Sequence, residues 1–306
     1  MADFTREEIE EKLEEYRELI AAREEEDEFV DEPNEEGVAE EGVEEEPVEG
    51  EETSDKEENQ EEEPAEEEET SDKEENQEEE LVEEESTLEN IFDEKDLSGL
   101  DLSGLNFHGI SLRKTNLKNT DLSGCTLAES NLDQANLDQA NLSDANLENI
   151  SCLEGVMTRA NMESANFQGA KLLGTDFSES NLDGAIFRKS KCMETKLVRC
   201  NLNETDFSNS DFSRANLQDA KFTNSDLSRA RFNSADFERT DLTDSRLSMG
   251  VFFEANFKSA NLNRALIKGA KLAGGIFTDA RLPRADITGA DLTDAKFHNA
   301  DLSRSK

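Results

Sequence analysis

Few residues in this sequence have the types and spacing that chemistry requires. His108 and His298 are the two side chains best suited to proton transfer near neutral pH, but they stand near opposite ends of the patterned part of the chain and cannot share a site. Cys125, Cys152, Cys192 and Cys200 show neither a C-x-x-C pair nor a neighbouring histidine, which argues against a zinc centre. Serine and aspartate recur so often that no Ser–Asp pair stands out as a nucleophile and its partner, and no glycine loop of phosphate-cradling form occurs. The sequence therefore reads as non-enzymatic, with no metal and no cofactor.

What organises the chain is a period of five. From Leu97 to Leu302 an apolar residue occupies every fifth position, forty-two times without a slip: twenty-three Leu, thirteen Phe, and Cys152, Met157, Met162, Cys192, Ile267 and Ile287. Two residues before each of these centres the side chain is usually small, twenty times alanine, and the residue immediately before is Asn or Asp in twenty-five cases. Cys152 and Cys192 are centres, and Cys125 and Cys200 take small-residue positions, so all four should point inward as small apolar groups. Both histidines directly follow a centre and should point outward.

A period of five suits neither standard element. On a helix, five residues turn through about 500°, scattering successive centres around the axis. On a continuous strand an odd period alternates faces and would leave half the Leu and Phe in water. All centres face inward only if the backbone turns a corner once per unit, and a short unit that cannot bury its own face implies a stacked solenoid. The repeating form A-(D/N)-(L/F)-x-x, as in Ala135-Asn136-Leu137-Asp138-Gln139, resembles the pentapeptide-repeat family across residues 97–302. That resemblance implies an all-β fold, a right-handed quadrilateral β-helix of about ten coils with four units per coil and centre and small side chains inside. At roughly 4.8 Å per coil the stack would be near 50 Å long. One internal column then runs Leu97, Leu117, Leu137, Met157, Phe177, Leu197, Leu217, Phe237, Phe257, Phe277 and Phe297. Ten of the thirteen glycines from residue 97 onward lie two residues after a centre, where a turn best accommodates them.

The charge divides the chain. Residues 1–96 carry 48 Asp and Glu against 7 Lys and Arg, whereas residues 97–306 carry 28 against 25. The formal charge of -44 thus belongs to an acidic arm joined to a nearly neutral body. The predicted organisation is a short amphipathic helix in residues 1–30, an acidic, low-complexity, mostly disordered arm in 31–85, a cap in 86–96 that includes Leu88, Ile91 and Phe92, and the repeat solenoid in 97–306. Thr5 and Glu8 form a capping box, Phe4 and Ile9 a hydrophobic staple, and Ile9, Leu13, Tyr16 and Ile20 an apolar stripe that should dock on another surface or self-associate. The arm repeats EETSDKEENQEEE at 51–63 and 68–80, placing Ser54 and Ser71 in an acidic context that an acid-directed kinase could use. No apolar run is long enough to span a membrane and no secretory leader is evident, so a cytoplasmic protein is expected.

Functional expectation rests on outward departures from the repeat. Leu153, Leu173 and Met193 are twenty residues apart and should stack on successive coils of one face, with Phe253 further along and Met249 and Val251 beside it. Lys171 and Lys191 accompany them, and this set is the candidate protein-contact face. Arg264, Arg284 and Arg304, with Arg281 alongside, form a candidate basic ladder. The expected partner is a protein, with neither direct nucleic-acid binding nor membrane association; a homodimer through the C-terminal coil is a further expectation. The alternative implied by the resemblance is a DNA-mimicking binder of a type II topoisomerase, DNA gyrase, conferring drug or toxin resistance. A duplex mimic needs continuous acidic ladders, whereas here Asp101 and Asp121 are followed by Asn141, Asn161, Asn181, Asn201 and Lys221.

Overall fold

A computed structural model describes residues 2–30 and 90–306, without the side chains of 23–30. The expected disordered arm, its duplication, Ser54 and Ser71 lie outside the described residues. From Asp96 to Asp301 the backbone closes one coil every twenty residues, each residue that precedes a centre pairing in parallel with its equivalent one coil on, as Asp96 does with Asn116 and Arg281 with Asp301. The pairing consists of isolated bridges, one residue per unit, and not of extended strands. A turn in every unit leaves no room for a second consecutive pair, so the all-β expectation holds in this reduced form, and α1 (Arg6–Val30) is the regular helix among the described residues. No helix among them is long and apolar enough to cross a membrane.

The corner has a single design. Most centres' carbonyls accept the N–H three residues on, as Leu132 does from Ala135 at 3.0 Å, and the residue two after the centre has φ between 54° and 72° in every unit from Glu94 to Arg304. A left-handed residue at that place marks a type II turn, which explains why ten glycines fall there. Gly99 is one of them: at φ +70° with open space around it, its requirement is for backbone conformation and not for room.

The N–H groups of a typical unit are all satisfied. Those of the centre, of the residue before it and of the residue two after it bond to neighbouring coils, as in Leu97 to the Asn116 carbonyl, Asn116 to that of Lys95 and Gly99 to that of Lys118. The small residue's N–H closes the turn. The remaining one, immediately after the centre, donates to the side chain of the Asp or Asn before the centre, as Ser98 does to Asp96 and Asp138 to Asn136. The frequent Asx is thus a component of the corner. Where Ser151 or Lys221 stands there instead, a side chain one coil back takes over: Asp133 accepts the Leu153 N–H and Asn203 that of Thr223. The Asn amides also bond along the stack, Asn141 to Asp121, Asn161 to Asn141 and Asn181 to Asn161. Buried hydroxyls donate inward to carbonyls, as Thr120 does to Leu97, and among the described residues no buried side-chain polar atom lacks a partner.

The interior is filled by the centres. All eleven residues of the Leu97–Phe297 column face inward; the first ten are at most 1% exposed, while Phe297, in the last coil, is half-buried. Phe237, Phe257, Phe277 and Phe297 stack nearly parallel at centroid spacings of 4.8, 4.9 and 4.7 Å. Phe207 stacks on Phe187 at 5.4 Å and meets Phe212 edge-on at 5.1 Å. Replacing Phe207 with Ala should lower unfolding free energy by about 3–5 kcal/mol in denaturant titration, since rings held from above and beside cannot collapse into the void; a loss below about 1 kcal/mol would contradict this packing.

The chain forms two compact units, Met1–Glu15 with Thr87–Lys306, and Tyr16–Ser86. Of the second, the continuation of α1 to Val30 is described. In the first, the register begins at Phe92, one unit before Leu97: Phe92 is fully buried and the Lys95 N–H closes its turn. The start of α1 supplies the cap. Asp3 exchanges two hydrogen bonds of 2.6 Å with the backbone of Asp96, the Phe4 ring meets Phe92 edge-on at 5.6 Å, and Arg6 donates to the Asp101 and Ser103 carbonyls. Ile9 and Leu13, the first two members of the stripe, are buried within this unit. Thr5 and Glu8 form the reciprocal capping box.

Candidate interaction surface

Coil stacking places residues twenty apart next to one another, so outward charge must be matched along the stack. It mostly is: Lys114 pairs with Glu94, Arg199 with Glu179, Arg214 with Glu194, Arg239 with Asp219 and Arg264 with Asp244. The most enclosed of these groups is Asp138, whose side chain is 7% exposed. Burial alone would raise its pKa, but hydrogen bonds from Arg159, Gln139, Lys118 and Thr158 outweigh it and hold the carboxyl well below the usual range. Lys118 approaches from one coil before at 2.9 Å and Thr158 from one coil after at 2.8 Å, so Asp138 ties three coils together.

A carboxyl whose folded pKa is depressed stabilises the fold above its ordinary value and loses that contribution as pH falls. Asp138→Asn should therefore cost roughly 1.5–3 kcal/mol at neutral pH and should flatten the loss of stability below about pH 4. Thermal melts across pH 3–7 (roughly the range spanning carboxylate titration) check this, and an unchanged acid limb would contradict it.

The predicted contact residues fall into two clusters. Leu153, Leu173 and Met193 stack on successive coils as the spacing requires; Leu173 is 39% exposed, while Leu153 and Met193 are half-buried. Lys171 and Lys191 are exposed and bridge directly to each other, like charge on like charge. Polar Ser213 and Asn233 then intervene before Phe253, three coils or about 14 Å further on. Met249 at 62% and Phe253 at 39% are the exposed members of the second cluster, with Val251 half-buried. A Cβ at Gly269 would sit 2.7 Å from Met249 Sδ, so this glycine leaves room for the methionine. Leu266, 41% exposed, stands on the coil after Met249 and extends this cluster; Val156, 37% exposed, is another outward apolar residue. Sequence reasoning passed over both, although an aliphatic residue where Asx usually precedes the centre was the available signal.

The basic ladder is divided as well. Arg264 is held by Asp244, whereas Arg281, Arg284 and Arg304 line a shallow groove of about 510 Å³ with Asn261, Asn263, Pro283 and Ser303. His108 and His298 are exposed on separate coils. All four cysteines are buried and unpaired; burial pushes the Cys125 thiol up to about 11 and that of Cys200 to about 12, and raises Cys152 and Cys192 further. These are core groups and not nucleophiles. Among the described residues no cluster of three potential metal ligands occurs.

Family models for pentapeptide repeats match residues 91–127, 120–151, 251–286 and 265–304, and one for a pentapeptide repeat region matches 160–237. The chain belongs to the pentapeptide-repeat family. Among solved structures it is similar to HetL, a pentapeptide repeat protein involved in heterocyst differentiation regulation from the cyanobacterium Nostoc sp. strain PCC 7120, with 28% identity over 69% of this chain and 88% of HetL and a TM-score of 0.31. A pentapeptide repeat protein of the Arabidopsis thaliana thylakoid lumen is 31% identical over 32% of this chain and 68% of its own, also at 0.31. Full-length QnrB1, a plasmid-mediated fluoroquinolone resistance protein, is 17% identical over 66% of this chain and 91% of its own, at 0.26. No curated protein matches the chain. At these TM-scores the likenesses carry no argument about function.

Proposed function

We propose that this chain is a non-enzymatic, cytoplasmic protein-interaction scaffold, a right-handed β-helical stack that presents one outer face to a protein partner. The observation that carries the reading is the Leu173 cluster: an exposed leucine flanked by Leu153 and Met193, with Lys171 and Lys191 stacked beside it, on a surface whose charges are otherwise largely matched between coils. Apolar groups rimmed by charge suit a protein contact. The second cluster, Met249, Val251 and Phe253, extends the same face towards the C-terminal coils.

The alternative, a DNA-mimicking binder of DNA gyrase, finds less support. The column beginning Asp101 and Asp121 continues as a hydrogen-bonded run of asparagine amides, and amides carry no charge to imitate phosphate. Many of the outward carboxylates are engaged at corners or in ion pairs, as Asp121 is by the Ser123 N–H and Asp219 by Arg239.

Leu173→Asp combined with Met193→Asp is the direct test, read by affinity capture with the full chain and by thermal melting. The expected outcome is loss of the captured partner with a nearly unchanged melt; partner capture equal to that of the parent protein would defeat the proposal. Inhibition of gyrase supercoiling by the purified chain would instead favour the DNA-mimic reading.

A further inference from the structure

We propose that the groove formed by Arg281, Arg284 and Arg304 is a binding site for acidic peptide segments, separate from the Leu173 face. At most corner positions where a basic residue is ion-paired, an acid occupies the same position one coil earlier: Glu94 for Lys114, Glu179 for Arg199, Glu194 for Arg214, Asp219 for Arg239 and Asp244 for Arg264. Lys189 and Arg229, which follow Gly169 and Asn209, fall outside this rule, and after Arg264 it reverses to like charge. The corner before Arg284 is Arg264 itself, and the corner before Arg304 is Arg284, so arginines are rooted on successive coils at the backbone spacing of about 4.8 Å. Neither Arg284 nor Arg304 makes an ion pair among the described residues.

The surroundings offset only part of this charge. Asp301 bridges to Arg281, and its carboxylate, still anionic while it accepts the Ser303 N–H at 2.9 Å, is held below its ordinary pKa by that bond and in part by the Arg281 guanidinium, so it offsets Arg281 and leaves Arg284 and Arg304 as the uncompensated pair. Pro283 occupies the position after the centre between Asn263 and Ser303, contributes no N–H, and lines the groove of about 510 Å³. That volume falls within the range of ligand pockets, enough for a few side chains.

The chemistry points to carboxylates on an extended chain. Each guanidinium presents a planar fork that holds a carboxylate through two parallel hydrogen bonds. Side chains on one side of an extended peptide recur about every 6.8 Å, and two long arginine side chains rooted on adjacent coils can splay to meet a successive pair. A nucleic-acid duplex, with about one charge every 1.7 Å, calls for a longer basic surface than three arginines at one end of a face whose next basic residue, Arg264, is already neutralised by Asp244.

The test is fluorescence anisotropy of labelled octaglutamate with the full chain at low ionic strength, with octaglutamine and a short DNA duplex as comparison probes. Saturable octaglutamate binding is expected, weakened at least about tenfold by Arg284→Gln combined with Arg304→Gln and unchanged by Lys171→Gln combined with Lys191→Gln. Thermal melts of both double variants establish that they fold. Absence of saturable binding, octaglutamine binding equally well, equal affinity in the arginine variant, or tighter binding of the duplex would each overturn the assignment. Because the lysine variant alters the other face, failure here leaves the proposed scaffold function standing, and failure of that function leaves this groove intact.

Discussion

Everything in the repeat region depends on one corner, made once per five residues. The left-handed residue two after each centre turns the chain, the centre's carbonyl closes the turn, and the Asx before the centre takes the N–H that would otherwise be left over. An unpaired buried amide is costly, so a corner that leaves none can be repeated without accumulating penalty. The apolar centres then stack into continuous columns, most tightly where phenylalanines lie face to face. Hydrophobic burial holds the coils together, but the corner decides that those side chains all arrive inside.

The same stacking constrains the outside. A residue has its equivalents twenty positions away as immediate neighbours, so charge cannot be distributed freely along a column. Alternation of sign, seen at Glu179 and Arg199 and again at Asp219 and Arg239, is the stable arrangement. Individual exposed pairs contribute little, which makes the enclosed Asp138 network across three coils the exception among them. Against this background the like-charge stacks at Lys171–Lys191 and at Arg264–Arg284–Arg304 are departures that folding alone does not require.

The period of five made the coil legible from the residues alone, because an odd period with uniformly inward centres admits only a turning backbone. It also located the corner glycines and the outward stack of Leu153, Leu173 and Met193. Three things were not legible. The Asx that precedes twenty-five of the centres read as an outward polar group, since nothing in composition tells a solvated amide from one bonded to the backbone two residues on. The helix stripe showed that the helix needs a partner but not that its start docks on the first coil through Asp3, Phe4 and Arg6, because those contacts span about ninety residues of intervening sequence. Pairing of Arg264 with Asp244 was available from the twenty-residue period, yet following runs of like charge hid the opposite charge one coil earlier. The candidate surface was thus only partly legible: the period identified outward apolar positions, but their division into two clusters and the exposure of Leu266 emerged from burial.

The most direct test of the account compares two deletions. Removing residues 182–201 takes out one whole coil of twenty and leaves every later residue on its original face; removing Asp183 alone displaces every later centre from the interior by one position. Far-UV circular dichroism during thermal unfolding should show a cooperative transition retained in the first and lost or sharply lowered in the second. Equal behaviour of the two proteins would contradict the claim that the five-residue corner, repeated four times per coil, governs this structure.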